Sequence, residues 1–277
     1  MNSSLYRQQG LSLVELMIAL LVSSMLILGV TQVYLDGKRN HLFNQGQTAN
    51  LDTGRFSALM LENILGKAGY RRNPEQSMAE AFPASNALDS HCTAFRAGHA
   101  VTRLSSADTP GLCIRYQAAV AGEPICDGTT TALAAPQPFL IPRNNELVVL
   151  ALKFETGQHY TAGVIRCISN RGGNAELIEG IVDMRIWFAA GEDSYRRLKK
   201  NAYRDAASWS GNHGMVRAIG FELLAADGRG TRDGESEVFN NWLTSAAPDS
   251  AARLKNHDQR HIYQLVVGSQ ALRNLMP

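Results

Sequence analysis

The side chains that could carry out chemistry are few and scattered along the 277-residue chain. His257 and His261 are four residues apart, but no Glu follows the first histidine, so the zinc-protease pattern H-E-x-x-H is absent. Residues 227–235 have Asp and Gly spacing that resembles a calcium loop, but Arg229 stands where an oxygen ligand belongs. The sequence contains no nucleophile elbow, Walker loop or dinucleotide-binding motif. We therefore expect no enzyme, no cofactor and no metal site.

One basic cluster, RRLKK at residues 196–200, lies near Tyr195 and Tyr203 and could contact phosphate or DNA. The whole chain, however, has 27 Lys and Arg against 25 Asp and Glu, which leaves a formal net charge of +2. This near-balance argues against a general nucleic-acid binder, which normally has a strongly basic face. A solvated loop is the preferred interpretation of the cluster.

Glu15 is the one charged side chain in an apolar run that covers residues 11–30. As an α-helix this run rises about 30 Å, which is enough to cross the hydrocarbon core of a membrane. An acid costs about 2.5–3.5 kcal/mol at the centre of such a span and less near its end, so Glu15 is expected to have a role. No A-x-A-like site follows the run, which disfavours a secretory signal peptide, and a plain anchor leaves Glu15 unexplained.

The hexapeptide GLSLVE at residues 10–15 resembles the processing motif of type IV prepilins. The resemblance implies that a prepilin peptidase cuts between Gly10 and Leu11, and that Leu11 becomes an N-methylated amino terminus. Glu15 follows Leu11 by one helical turn, so its carboxylate could pair with the new ammonium of its own chain or of a neighbour. Such a pair would recruit the subunit and fix the axial register between helices. The alternative is a carboxyl group that stays protonated and has no role.

A single long helix is predicted from about residue 12 to about residue 67, because no proline occurs between residues 11 and 72. Gly37, Gly46 and Gly54 would weaken it and allow a bend. Its second half carries an apolar heptad stripe that is expected to pack on a sheet as core. The stripe consists of Leu35, Leu42, Ala49, Phe56, Leu59, Met60 and Ile64.

The rest of the chain changes to the two-residue period of β-strands. Strands are predicted at residues 112–116, 146–154, 160–168, 177–188, 215–224 and 262–267. Long connections rich in Gly, Pro, Ala and Asn separate them, at residues 71–110, 117–145, 189–214 and 225–260. No regular alternation of strand and helix appears, which disfavours a parallel sheet. The predicted fold class is α+β and pilin-like: a long N-terminal helix, with a membrane-spanning first half, packed on an antiparallel β-sheet head with long loops.

Five further segments resemble the PilW type of minor pilin. They are AGY at residues 68–70, VIRC at 164–167, LIEGIVDM at 177–184, VRAIGFELL at 216–224 and LRN at 272–274. The resemblance implies a cleaved cytoplasmic leader (1–10), a transmembrane part of the helix (11–33), an amphipathic part (34–70) and a periplasmic head (71–277).

The four cysteines allow three pairings, and the sequence alone does not choose among them; free thiols are a further alternative. Zinc is disfavoured because there is no Cys-x-x-Cys spacing. An oxidising compartment would favour disulfides. The resemblance implies that Cys126 pairs with Cys167, which leaves Cys92 for Cys113.

The resemblance to minor pilins also implies a function. The subunit would sit in the inner membrane with a single pass, help other minor pilins to initiate the type IV pilus in a tip or priming complex, and then become extracellular. It would thereby support adhesion and twitching motility. The implied partners are other minor pilins and the major pilin, through the N-terminal helix, and prepilin peptidase, with a tip adhesin as a further candidate. The alternatives are a J-type pseudopilin of type II secretion and a membrane-anchored DNA-binding module; a periplasmic enzyme is the weakest of them.

Overall fold

The computed structural model describes residues 12–132, 139–143, 146–157, 159, 163–191, 203–228, 230 and 232–275. The chain forms two compact units, Met1–Gln45 and Gly46–Pro277. The helices are α1 (Leu13–Gly66), α2 (Met78–Ala81), α3 (Glu237–Ser245) and α4 (Pro248–His257). The strands are β1 (Val101–Arg103), β2 (Gly111–Tyr116), β3 (Val148–Glu155), β4 (Val164–Ser169), β5 (Asn174–Glu179), β6 (Ile181–Gly191), β7 (Arg204–Asp205), β8 (Met215–Ala226) and β9 (Tyr263–Ala271).

The predicted long helix is present as α1, within one residue of the expected ends and without a break at its glycines. From Gly46 onward, α1 belongs to the second unit and packs against β9 and the segment that precedes it. Asn50 lies on this face and donates a hydrogen bond from Nδ2 to the backbone oxygen of Ile262, at 2.7 Å. The final turns bury Leu61 and Leu65 in the main core.

The heptad stripe predicted to be core is wrong for most of its length within the second unit. Ala49 is exposed, and Phe56 and Leu59 are 51% and 68% exposed. The face that α1 buries instead begins with Gly46, Asn50, Gly54 and Ser57 and ends with Leu61, Ile64 and Leu65. This face consists of small residues at its start because the helix approaches the sheet closely there. A Cβ on Gly46 would lie 2.6 Å from Oδ2 of Asp227, and one on Gly54 would lie 2.9 Å from Cγ2 of Val266.

The strands form two antiparallel sheets rather than one. The first has the order β1-β2-β3-β4-β5, and the second has the order β7-β6-β8-β9. The strand predicted over residues 177–188 is divided between them, because β5 ends at Glu179 and β6 begins at Ile181. Gly180, between them, has φ +80°, a conformation that glycine adopts without steric cost and that turns the chain from one sheet to the other.

Three apolar clusters hold the second unit together. The largest lies between the two sheets and the end of α1, and includes Ile114 of β2 and Phe221 of β8. The second lies on the opposite face of the first sheet, where Phe95 packs near Cys113. The third lies under α3 and α4, on the outer face of the second sheet. Both faces of each sheet are therefore at least partly covered, which explains why all six residues of β2 are buried.

The helices α3 and α4 occupy a connection that the sequence predicts as a long loop. α3 buries Phe239 and Trp242, which are three residues apart on one helical face, and Ser236 caps its first turn through the backbone N–H of Phe239. α4 begins with Pro248 and buries Leu254. Together they cover part of the second sheet.

Asp183 of β6 ties these helices to the sheet. Its Oδ2 accepts a hydrogen bond from Nε1 of Trp242 at 2.8 Å, and its Oδ1 lies 3.5 Å from the guanidinium of Arg253. The guanidinium of Arg185 stacks 3.7 Å above the ring of Trp242. Burial raises the pKa of Asp183, although the Trp242 hydrogen bond and Arg253 oppose this effect.

The raised pKa of Asp183 predicts a pH-dependent term in stability. The folded state holds this proton more tightly than the unfolded state, so the term favours folding at low pH and is lost as pH rises above about 4 through the raised pKa. We expect Asp183→Asn to remove this loss. The measurement is the difference between the wild-type and variant urea unfolding free energies from pH 4 to 7. An unchanged difference across this range would contradict the assignment.

A buried arginine organises the segment between α2 and β1. Arg115 of β2 is fully buried, and its guanidinium donates to four backbone oxygens. The acceptors are the oxygens of His99 (2.7 Å), Pro83 (2.6 Å), Phe82 (3.0 Å) and Arg96 (2.9 Å). The rings of Phe95 and Phe82 lie 4.7 and 5.4 Å from its guanidinium carbon. Burial lowers the pKa of Arg115 to about 10, so the side chain stays charged at neutral pH.

Both disulfides join the pairs that the resemblance implies. Cys92 bonds to Cys113 with a Cα separation of 5.9 Å, and Cys126 bonds to Cys167 with a Cα separation of 6.0 Å. The first closes 21 residues and the second 41 residues. By loop-closure entropy, each contributes about 3–4 kcal/mol to stability.

Candidate assembly site

The N-terminal part of α1 is a candidate membrane segment. It is the one helix, among the described residues, that is long and apolar enough to cross a membrane. None of its most apolar stretch is buried against the rest of the protein. The hydroxyls of Ser24 and Thr31 donate to the backbone oxygens of Leu21 and Ile27, at 2.8 and 2.7 Å. These polar groups are therefore satisfied inside the helix, as a membrane span requires.

Glu15 is the one acidic or basic side chain between residues 12 and 35, and it lies in the first turn of α1. Its Oε2 accepts a hydrogen bond from the backbone N–H of Ser12 at 3.1 Å. The bond is half of a capping box, in which an acid reaches back to an N–H that the helix leaves without a partner. The carboxylate also lies at the positive end of the helix dipole.

The predicted processing residues, Gly10 and Leu11, lie outside the described residues, so cleavage and N-methylation remain predictions. The structure does place the Glu15 carboxylate at the amide of Ser12, the residue that follows Leu11 in the chain. Cleavage before Leu11 would create an amine one residue before the Ser12 amide that Glu15 binds. The predicted pairing of Glu15 with an N-terminal ammonium is therefore compatible with the position of the carboxylate.

The structure describes only some of the remaining candidate residues, and it does not bring those together. His257 is exposed and bonds through Nδ1 to the backbone oxygen of Arg253, whereas His261 is buried. Among the described residues, no group of three or more His, Cys, Asp or Glu could hold a metal ion. Asp227 accepts from the backbone N–H of Ile262 at 2.8 Å and so joins the ends of β8 and β9. Residues 229 and 231 of the calcium-like loop, and the basic cluster at 196–200, lie outside the described residues.

The sequence reasoning missed the close helix–sheet contact. Gly46, Asn50 and Gly54 stand at intervals of four residues, which places them on one face of a helix. That spacing of small residues is a signal of close packing, but the heptad of larger apolar residues dominates the pattern. These three residues, rather than Phe56 or Leu59, fix how the second part of α1 sits on the sheet.

The N-terminal segment resembles a motif of known proteins. Residues 5–31 match the family model of the prokaryotic N-terminal methylation motif. No curated protein matches the sequence. Among solved structures, a type IV-like pilin from Thermus thermophilus is similar with 11% identity and a TM-score of 0.42, covering 84% of this chain and 100% of that one. The methylation motif and the apolar start of α1, which it overlaps, support a type IV pilin-like N-terminal segment that anchors the chain in a membrane.

Proposed function

We propose that this chain is a minor pilin of the PilW type, which joins other minor pilins to initiate assembly of a type IV pilus and thereby supports adhesion and twitching motility. Its role is to pack, not to make or break bonds. The single observation that carries the proposal is Glu15. It is the one charged group in the apolar segment at residues 11–30, it lies within the methylation motif that matches residues 5–31, and its carboxylate lies at the helix start.

The carboxylate gives the helix a reason to associate. Apolar side chains have a similar free energy against lipid and against another apolar helix, so they do not by themselves drive association in a membrane. A carboxylate in low dielectric, in contrast, is strongly stabilised by an ammonium and costly without one. An ammonium on the Leu11 of a neighbour would satisfy Glu15 only at one axial offset between the two helices. Glu15 therefore supplies both attraction and register.

The exposed part of α1 in the second unit supplies a second contact. Phe56 and Leu59 lie on the face of α1 that points away from the sheets, and both are more than half exposed. A neighbouring subunit that docks beside α1 would cover them. The proposed partners are other minor pilins and the major pilin along this helix, and prepilin peptidase at the leader, with a tip adhesin as a further candidate. The proposed location is the inner membrane, with the second unit in the periplasm before assembly.

Intact mass and N-terminal analysis of the chain isolated from membranes test the processing step. We expect a chain that begins at Leu11, carries one added methyl group and contains two disulfides. Gly10→Leu should leave the longer, unprocessed chain, because cleavage follows this glycine. The matched control is Gly29→Leu, the same change at a glycine with nothing within 4 Å of its added Cβ. We expect the control to be processed normally. A native chain that begins at Met1 or beyond Val30 would refute the proposal.

A J-type pseudopilin of type II secretion is the second candidate, because Glu15, the motif and the fold would serve it equally. Deletion separates the two functions. Loss of pili and of twitching supports the minor pilin, whereas loss of protein secretion with normal pili supports the pseudopilin.

A further inference from the structure

The two sheets have four edges, and one of them differs from the others. β1 has three residues and β7 has two, while β5 carries Glu176 and Glu179. β9, at the edge of the second sheet, has nine residues, YQLVVGSQA, with no charge and no proline. Soluble proteins usually protect edge strands by making them short, charged or interrupted by proline. β9 has none of these protections.

The hydrogen-bond pattern shows which backbone groups of β9 face outward. At the two ends of the ladder, the N–H of Leu272 donates to the oxygen of Arg217, and the N–H of Asp227 donates to the oxygen of Ile262. In an antiparallel pair the bonded positions alternate, so the even-numbered residues of β9 face β8. The odd-numbered residues, from Tyr263 to Ala271, direct their N–H and C=O groups to the free edge.

Side-chain amides cap only the flanks of this edge. Nε2 of Gln264 donates to the oxygen of Leu265, and Nε2 of Gln270 donates to the oxygen of Ala271, both at 3.0 Å. Between them, the outward N–H and C=O of Val267 and Ser269 have no protein partner in the described parts of the chain. Val267 is 64% exposed and Leu265 is 38% exposed. The middle of the edge thus presents open backbone groups beside apolar side chains.

We propose that β9 is a strand-addition site, which takes an uncharged, extended segment of a different subunit antiparallel to β9. The added segment would bond to the outward groups of Val267 and Ser269, and apolar side chains on its outer face would cover Leu265 and Val267. A charged segment would lose hydration beside this edge, and β9 has no charged side chain that could form a compensating ion pair. This inference rests on the proposed function, because it concerns the partners of the assembled subunit.

The direction of α1 identifies the occupant as a different subunit. Gly54 of α1 lies against Val266, and the backbone oxygen of Gly66 accepts from Nδ2 of Asn274 at 3.0 Å. Later residues of α1 therefore contact later residues in and after β9, so the two elements run in the same direction. If β9 of a second copy added antiparallel, the α1 of that copy would run in the opposite direction. Two chains that enter their second units from one membrane would not pair in this way. This disfavours β9 of a second copy, and we therefore assign the segment to a different subunit.

Proline substitution at an outward position tests the site. Val267→Pro removes an N–H that faces the free edge and leaves the β8–β9 bonds in place, as proline in edge strands normally does. We expect an unchanged urea midpoint for the full chain in detergent. Incorporation into pili should fall by about fivefold relative to wild type, as loss of one hydrogen bond implies. The control is Val267→Ala, which keeps the N–H and should incorporate better than the proline variant. Equal incorporation of Val267→Pro and wild type would overturn the proposal.

Hydrogen exchange gives a second measurement that does not depend on a variant. In the full chain in detergent micelles, the amides of Val267 and Ser269 should exchange rapidly, and in assembled pili they should become protected. Equal exchange in both forms would overturn the strand-addition site. If Glu15→Ala still abolishes incorporation, the proposed function stands even when this inference fails. A photo-cross-linker at position 267 that joins two copies of this chain, instead of a different subunit, would overturn the assigned occupant.

Discussion

Glu15→Ala is expected to leave leader cleavage intact but to reduce incorporation into pili by about tenfold or more. The change removes the one charge of the apolar segment and leaves the ammonium with which we propose that it pairs without a counter-ion. In low dielectric, an unpaired charge costs several kcal/mol, and about 1.4 kcal/mol corresponds to a factor of ten. The measurement is the amount of chain in the sheared pilus fraction relative to the membrane fraction. Normal piliation with the alanine variant would count against the register argument.

Two further variants separate the roles that the structure allows for Glu15. Glu15→Gln keeps an acceptor for the N–H of Ser12 and so preserves the capping box, but it removes the negative charge. If charge pairing fixes the register, the glutamine variant behaves like the alanine variant. If the local cap is all that matters, glutamine restores incorporation. Glu62→Ala is the matched control, because it makes the same change on α1 outside the apolar segment and should incorporate normally.

Loss of the Arg115 side chain is expected to destabilise the second unit strongly. Arg115→Met would remove four hydrogen bonds to backbone oxygens, and each lost bond from a charged donor costs about 1 kcal/mol or more. The oxygens of Phe82 and Arg96 would keep one backbone N–H donor each. We expect a loss of about 4 kcal/mol, measured by urea unfolding of the full chain in detergent with tryptophan fluorescence. Arg115→Lys should be intermediate, since an ammonium has three donors and lacks the planar fork.

The control for Arg115 is Arg103→Ala on the neighbouring strand β1. Arg103 is half-buried, and its guanidinium makes one long bond of 3.4 Å to the oxygen of Leu104. We expect this variant to change the unfolding free energy by no more than about 0.5 kcal/mol, as for an ordinary surface position. A stable Arg115→Met variant would show that the segment from Phe82 to His99 does not depend on the guanidinium.

Much of the fold follows from the sequence because its patterns are strong and local. The absence of proline before Pro74 predicts α1, and alternation along β8 and the other long strands predicts most of the two sheets. The helices α3 and α4 were not predicted, because each has only one to three apolar residues on its buried face. Phe239 and Trp242 indicate a packed helix only once it is known that β6 and β8 form the surface that they cover.

The sequence is less informative where packing distance decides. A heptad of larger apolar residues predicts a buried stripe, but Phe56 and Leu59 are exposed because α1 buries its glycine side. Hydrophobicity alone does not show how near a sheet lies to a helix. The same holds for the change of sheet at Gly180, since a strand that continues and a strand that turns have the same apolar alternation on either side.

The position of Glu15 could be predicted fully, because it depends on a single charge in an apolar run. Its bond to Ser12 could not, since the sequence does not show whether the side chain turns back to its own helix or away from it. The edge of β9 was also missed. An edge strand is defined by its neighbours in the sheet, and the amino-acid pattern of β9 is the same as that of a central strand.

The glycine face of α1 limits how this protein can be recombined with its relatives. A chimaera that exchanges the anchor before Gln45 would retain Gly46 and Gly54, and its head should fold as before. A junction placed after Gly54 would import foreign side chains at both positions, where added carbon atoms would meet Asp227 and Val266. The useful crossover point therefore lies before the two glycines, which belong to the head although they are part of the helix.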